Sequence, residues 1–395
     1  VGEHEGEDIL SMQRPWLIAD LCVQGVLLAA LAAAPHLPGP LTAPPPRQGD
    51  IVTEGLNVLL VFFAAYVLVL TVLRYHPLHR LNVRAGRSRQ SPGAAIKALL
   101  RQSAGEALRV IGLPGILALQ YNRPRGGLYA IGWLALGVFL VVMLLLRRLQ
   151  GLHFGCFAEP VAELAEDDER YEQIRPIMER AGVLGFRNVG VGLWGDPDCE
   201  DSGFAALAGP TDGPVLLLSR GFFTLLSAEE REAVIFHEVA HWAHRDPPRR
   251  AFLLFGLDVL PVAITFLYLW LRVPAPSGAA AVVSATPTAI LLGWLALQVC
   301  GPLLLWLSRR RERAANEWAL EHTRNPAAFC SAMRKLAEAN HAGGEPTLID
   351  KLLFATHPSL SEALEQARRY AQEHDMPDPN RLSSTNTIAV GADSQ

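Results

Sequence analysis

The sequence predicts a mainly α-helical protein that crosses a membrane several times and carries a small α+β domain interrupted by a transmembrane hairpin. Three observations predict it. Half of the 395 residues are apolar and only 19% are charged, which is the composition of a membrane protein. Runs of about twenty mostly apolar residues recur along the chain, each long enough to cross the hydrocarbon layer. Between two of these runs lies a polar stretch in which short alternating segments precede an amphipathic helix. The formal charge of −4 points away from a polyanionic partner, and no basic stripe with interleaved aromatics suggests nucleic acid. Cys22, Cys156, Cys199, Cys300 and Cys330 show no paired spacing, which fits a reducing compartment or burial in lipid better than a disulfide framework.

Residues 1–150 read as an N-terminal membrane region. The acidic VGEHEGED start lacks the basic region of a signal peptide. Apolar runs at 16–34, 55–73 and 128–146 read as spans, the first interrupted by Asp20 and Gln24. The basic loop 74–127 contains one apolar piece, Val110 to Leu119, broken by Pro114. That piece is too short to cross, and is expected to be a re-entrant, interfacial or soluble helix. Residues 151–250 form the first half of a soluble domain: a charged amphipathic helix over 163–180, broken near Pro176, then strands at 188–194, 204–207 and 215–218. Residues 251–307 form a helical hairpin through the bilayer, with runs at 252–271 and 288–307. Asp258 is costly in lipid and is expected to face another helix or a polar cavity, with interhelical hydrogen bonding favoured over a proton or substrate role. Residues 308–376 complete the soluble domain and open with a helix over 308–340. Residues 377–395 form a polar tail, expected to be disordered.

The demanding chemistry gathers in Ser227 to Asp246, SAEEREAVIFHEVAHWAHRD. Ser227 with Glu230 three residues on is a capping box, and Glu229, Glu230 and Glu232 suit the positive end of a helix dipole. His237 and His241, four residues apart, project from one face of that helix a single turn apart and can reach one metal ion. In the H-E-x-x-H arrangement the ion is Zn2+, and Glu238 beside the histidines takes a proton from the attacking water. Zinc on two histidines needs a third protein donor. Glu312, in the SRRRERAANEWALEH stretch after the hairpin, is one candidate, and Glu317 and Glu321 compete with it. His244 could face the same site but is assigned to the helix end, where the dipole suits a cation. Asn316 lies one turn beyond Glu312 and can hydrogen-bond a ligand.

These pieces resemble, over about residues 160–370, the membrane zinc endopeptidases typified by HtpX and the CAAX prenyl endopeptidase. HEVAHWAHRD matches the family's H-E-x-x-H with an aspartate five residues on, here Asp246. SRRRERAAN, from Ser308, is similar to the family's S-R-x-x-E-x-x-A-D and implies Glu312 as the third ligand. Ser202, Gly203, Phe204 and Ala205 look like the N-A-F-A edge strand that pairs with substrate backbone. Thr356, His357 and Pro358 are similar to the family's T-H-P piece, which implies a catalytic role for His357 toward substrate or oxyanion. Two positions depart: Asn316 stands where the family has aspartate, and Ala363 where it has arginine. Neither departure removes a ligand.

The resemblance implies a zincin-like α+β metallopeptidase domain, one Zn2+ per chain, and protein or peptide substrates, with membrane-protein quality control and processing of a specific membrane protein as the two roles left open. High Ala, Arg, Gly and Pro usage suggests a bacterial source, hence a multi-pass protein of the plasma membrane. Arginines flanking the metal helix and the hairpin place that domain in the cytoplasm by the positive-inside rule. The basic 74–125 stretch makes the same claim, which conflicts with a single span between the two. An alternative reading is a membrane sensor or scaffold whose zinc is structural or regulatory. A third, a peptidase like the β-lactam sensor-transducers, would need an extracellular ligand domain, and no segment is long enough to be one.

Overall fold

The computed structural model describes residues 9–33, 48–84, 90–121, 137, 161–194, 204–208, 213–273, 279–340, 342 and 344–379. In chain order the elements are helices α1 (Ile9–Ala33), α2 (Gln48–Tyr75), α3 (Pro92–Ala107) and α4 (Leu113–Tyr121), and strand β1 (Val161–Glu163). Helix α5 (Glu169–Val183) and strands β2 (Gly190–Trp194), β3 (Ala205–Ala208) and β4 (Val215–Ser219) follow. The chain continues with helices α6 (Arg220–Leu225), α7 (Ala228–Ala243), α8 (Asp246–Arg272), α9 (Ala279–Thr323), α10 (Pro326–Ala339), α11 (Leu348–Leu353) and α12 (Leu360–Glu373). Among the described residues, four stretches are helical, long and apolar enough to cross a membrane: Ser11–Ala33, Leu59–Val83, Asp246–Arg272 and Ser284–Thr323. The fold is mainly helical and multi-span, with one small sheet, as the sequence predicts. The expected span at 128–146, Gly137 apart, and the tail beyond 379 lie outside the described residues.

Val110 to Leu119 does not form a short helix of its own. It belongs to one helical run from Pro92 to Tyr121, in which a π-helical turn, Leu108–Gly112, joins α3 to α4. At 1.5 Å per residue that run is about 45 Å long, and it packs against α2, α8 and α9. Charge hides it in the sequence because its ionic partners lie far away along the chain. Glu106 accepts from the Tyr66 hydroxyl at 2.9 Å and pairs with Arg74 at 2.8 Å, which also holds Asp20 at 2.8 Å. Arg109 pairs with Asp258 at 2.7 Å, and Asp258 is only 1% exposed, so this carboxylate serves contact between helices. Gln24, which interrupts the first apolar run, accepts from Trp294 Nε1 at 3.0 Å. Around these polar links Leu28, Leu31, Leu70, Val110, Ile111 and Ile290 form the apolar packing.

The sheet runs in the order β1-β2-β4-β3, with β2 and β4 parallel and both outer pairs antiparallel. The three-residue β1 was not expected. Its last residue, Glu163, is the first of the expected charged helix, and α5 begins only at Glu169, after Asp168 accepts from the Arg170 N–H at 2.8 Å. Pro176 does not break α5: it removes one backbone donor, while Ile174, Ile177 and Ala181 remain anchored in the core. Those residues meet Val191, Leu216, Leu218, Phe222, Ile235 and Phe236, so the core lies between the sheet and helices α5, α6 and α7. The helix expected over 308–340 is two helices. The Arg324 backbone turns left-handed at φ 50°, and Asn325 caps α10 by accepting from the Ala328 N–H at 3.0 Å, with Pro326 opening the helix.

Candidate active site

Helix α7 starts on the capping box: Ser227 Oγ accepts from the Glu230 N–H at 3.3 Å and the Glu230 carboxylate from the Ser227 N–H at 2.7 Å. The same buried carboxylate accepts from Ser331 Oγ at 2.5 Å and Lys335 Nζ at 2.8 Å, which ties α7 to α10. Burial alone would raise its pKa, but Lys335 and Ser331 hold it below the ordinary value. One face of α7 is lost in the core, and its other face meets α9. The two helices pack together, and Ala233 and Ala240 on α7 and Ala315 and Ala319 on α9 are all fully buried. Phe236 stacks on Trp318 beside them at 5.9 Å. Small side chains let the backbones approach, and the approach brings a carboxylate of α9 to the imidazoles of α7.

That carboxylate is Glu312. Its Oε2 lies 3.3 Å from His237 Nε2 and its Oε1 3.6 Å from His241 Nε2, and one ligand atom from each of the three lies within 4.8 Å of the others. A tetrahedral zinc with bonds of about 2.1 Å separates its donors by about 3.4 Å, so two imidazoles and a carboxylate at these distances fit such an ion. Glu317 and Glu321 are exposed on α9. His244 ends α7, its N–H donating to the Ala240 carbonyl at 2.8 Å, and is not a member of the cluster.

The chain then reverses at Arg245, whose backbone is left-handed at φ 55°. The reversal brings Asp246 back against His241, with Oδ2 3.0 Å from Nδ1. A carboxylate there holds the Nδ1–H and leaves Nε2 directed at the metal position. Burial by itself would lower the His241 pKa, but Asp246 and Glu312 push it up to about 10. Burial would raise Glu312, yet hydrogen bonds from His237, His241 and His357 hold it well below the carboxylate range. The field at this carboxylate therefore favours positive charge, and a divalent cation on neutral imidazoles answers the same field.

His237 Nδ1 is buried with no hydrogen-bond partner among the described residues. Asn316 is buried and donates to Gln366 Oε1 on α12 at 3.3 Å, while Gln366 Nε2 donates to the Arg313 carbonyl at 2.7 Å. No hydrogen bond joins Asn316 to a ligand imidazole among the described residues, contrary to the expectation that it would support one. Ala363, on the same α12, is buried against the core of Phe329 and Tyr370. Both departures from the family pattern thus fall on helices α9 and α12, where an amide-to-amide hydrogen bond stands.

Strand β3 lies at one edge of the sheet. Phe204 bonds to β4, its carbonyl accepting from the Ser219 N–H at 2.9 Å and its N–H donating to Ser219 Oγ at 2.8 Å. By the alternation of an antiparallel pair, Ala205 and Leu207 then turn their backbone groups to the free edge. The Leu207 N–H donates to Glu238 Oε2 at 3.0 Å, so the edge strand and the acid of α7 adjoin. Its recessed position raises the Glu238 carboxyl above the ordinary range, and the two imidazoles offset part of this. Ser202 and Gly203 lie outside the described residues.

His357 stands at the mouth of the site, 70% exposed, with Nδ1 3.0 Å from Glu312 Oε2. Sequence reasoning missed Leu207, because a backbone N–H has no side-chain signature, and Arg309, which it counted only among the arginines flanking the hairpin. Arg309 is buried, and its Nη1 donates to the carbonyls of Lys351 and Ala355 at 2.6 Å each. It fastens the segment that carries His357 to the turn of α9 just before Glu312. Its place within the matched S-R-x-x-E piece was the available signal.

Residues 200–371 match the model of peptidase family M48. The protease HtpX homolog of Pyrococcus abyssi is 28% identical over 195 residues, covering 45% of this chain and 66% of that protein. The chain thus spans just under two thirds of that relative's length. The HtpX homolog of Pyrococcus furiosus is 26% identical over 230 residues, 54% of this chain and 78% of that protein. The crystal structure of S. mikatae Ste24p aligns with a TM-score of 0.46 at 14% identity, covering 92% of this chain and all of that one. Over residues 200–371, which include both histidines and Glu312, the chain is thus similar to peptidase family M48.

Proposed function

We propose that the chain is a membrane-embedded, zinc-dependent endopeptidase that hydrolyses peptide bonds of protein substrates. One observation carries the reading: His237, His241 and Glu312 converge within 4.8 Å while Glu238 lies between them and an edge strand, bonded to Leu207. When bound, zinc supplies Lewis acidity, polarising a carbonyl and lowering the pKa of a water toward neutrality. The chain's own residues do the rest. His237, His241 and Glu312 would hold the ion, and Asp246 fixes the His241 tautomer. An extended peptide laid along the free edge of β3 meets the outward backbone groups of Ala205, so it is positioned with little reading of sequence. The Glu238 carboxylate, raised by burial, takes a proton from the attacking water and returns it to the leaving amine. The exposed His357 imidazole, beside Glu312, is placed to donate to the developing oxyanion.

Glu238→Gln is expected to keep stoichiometric zinc by elemental analysis and to lose cleavage of a casein-type substrate. Glu312→Ala is expected to lose both. Undiminished cleavage by Glu238→Gln would remove this carboxylate from the mechanism, and stoichiometric zinc without turnover in the unaltered chain would favour the sensor or scaffold reading.

The domain faces the cytoplasm of a bacterial plasma membrane in this proposal. Gln13 Nε2 donates to the Pro77 carbonyl at 2.9 Å and Arg14 reaches Asp350 at 2.6 Å, which supports one common end for the start of α1, the end of α2 and the second half of the domain. Arg80, Arg84, Arg249, Arg250 and Arg309 to Arg311 fall near that end. A traverse by the run Pro92 to Tyr121 and one by 128–146 would return the chain to the side it left, removing the conflict in the charge count. A tag after residue 395 is expected to resist added protease in sealed right-side-out vesicles; cleavage there would reverse the orientation.

A further inference from the structure

Helix α11 exposes an apolar face that the site does not use. Leu348 is 72% exposed, Ile349 49%, Leu352 42% and Leu353 40%. At about 100° per residue these four positions occupy a continuous arc of roughly 140°. Asp350 lies off that arc and is fully buried, accepting from the Thr347 N–H at 2.8 Å, Thr347 Oγ1 at 2.7 Å and Arg14 Nε at 2.6 Å. One face of α11 is thus docked on the protein by polar bonds, and the other presents aliphatic side chains outward.

The places where α11 is fastened indicate what covers that face. Arg14 lies two residues before the exposed Trp16 on α1, and Arg309 three residues after the exposed Trp306 on α9, whose ring also meets Arg310 at 5.7 Å. Tryptophans on spanning helices with arginines just beyond them mark the level where hydrocarbon gives way to headgroups. Arg14 binds Asp350, and Arg309 binds the carbonyls of Lys351 and Ala355. Both fastenings therefore come from the level of one bilayer surface, which sets α11 and its aliphatic arc at that level.

We propose that α11 lies in the interfacial layer of the bilayer that the chain's own helices span, with Leu348, Ile349, Leu352 and Leu353 against lipid. The segment from Ala355 to His357 follows directly, so the mouth of the site opens at the membrane surface. The placement of α11 does not depend on peptidase activity. It is tested on the full chain, with its five cysteines replaced by Ser or Ala, carrying a nitroxide label at 348 or 352 in phosphatidylcholine nanodiscs. Collisions with oxygen are expected to exceed those with a water-soluble nickel chelate several-fold at both positions, and the reverse at Val183, 83% exposed on α5. Nickel-dominated collisions at 348 and 352, as at 183, would overturn the proposal by placing α11 in water. Low collision with both reagents would overturn it by placing a second copy or another polypeptide there. Should the cysteine-free chain not fold, a benzoylphenylalanine photocrosslinker at 352 in the unaltered background reads the same contact: lipid adducts support the proposal, and protein adducts or none overturn it.

Discussion

At the scale of the residue, the site depends on pairs in which one side chain sets the state of another. Asp246 is not among the residues proposed to hold the ion, yet its carboxylate, 3.0 Å from His241 Nδ1, would leave Nε2 as the nitrogen free to bind. Asp246→Asn is expected to weaken zinc binding by about 10- to 100-fold, read by competitive chelator titration, while the helical circular dichroism stays unchanged. Glu230 acts on stability instead. Its folded pKa is held below the ordinary 4.5, so its contribution is full above that pH and is lost as pH falls through the folded value. Glu230→Gln is expected to cost about 1–3 kcal/mol at neutral pH, because Lys335 and Ser331 lose a charged acceptor. The penalty should shrink as pH falls below the ordinary carboxylate value and the group protonates, which thermal unfolding at several pH values would check. An undiminished penalty in acid would mean that packing, not charge, is what Glu230 supplies.

Elements place these residues. The H-E-x-x-H helix was legible in full, since its capping box, apolar face and histidine spacing are all local. Its partner was not: three carboxylates, Glu312, Glu317 and Glu321, competed on one stretch, and only the packing of α9 on α7 decides which reaches the imidazoles. The edge strand carries a sharper test. Leu207→Pro removes the N–H that Glu238 accepts without removing a zinc ligand. Cleavage is expected to fall by about tenfold or more with zinc content unchanged, and a normal rate would show that Glu238 needs no anchor on β3. Arg309→Ala leaves two carbonyls of the α11 segment without their donor and is expected to lower kcat more than it raises KM, since it loosens His357 and not the bound peptide.

For the whole molecule, the membrane half is held by charges that the sequence presents as obstacles to insertion. Arg109 with Asp258, and Arg74 with Asp20 and Glu106, each join helices far apart in the chain. Removing one member of such a pair leaves a buried ion uncompensated. Arg109→Met, which strands the buried Asp258 carboxylate, is expected to destabilise by about 3–5 kcal/mol, and the double replacement Arg109→Met with Asp258→Leu to recover most of it, judged by thermal unfolding in detergent. Equal loss in the single and double variants would deny the pair its role. What the sequence by itself determined was everything periodic or local: the long apolar helices, the alternating strands, the capped helix and the two histidines a turn apart, because each follows from residue spacing on one element. Only the tertiary structure decided that Pro92 to Tyr121 is one long helix, that Glu312 and neither Glu317 nor Glu321 is the carboxylate of α9 that reaches both histidines, that Glu238 leans on Leu207, and that Asn316 turns to Gln366. Each of those depends on which side chain lies opposite across a contact between distant segments, and no pattern within one segment encodes its neighbour.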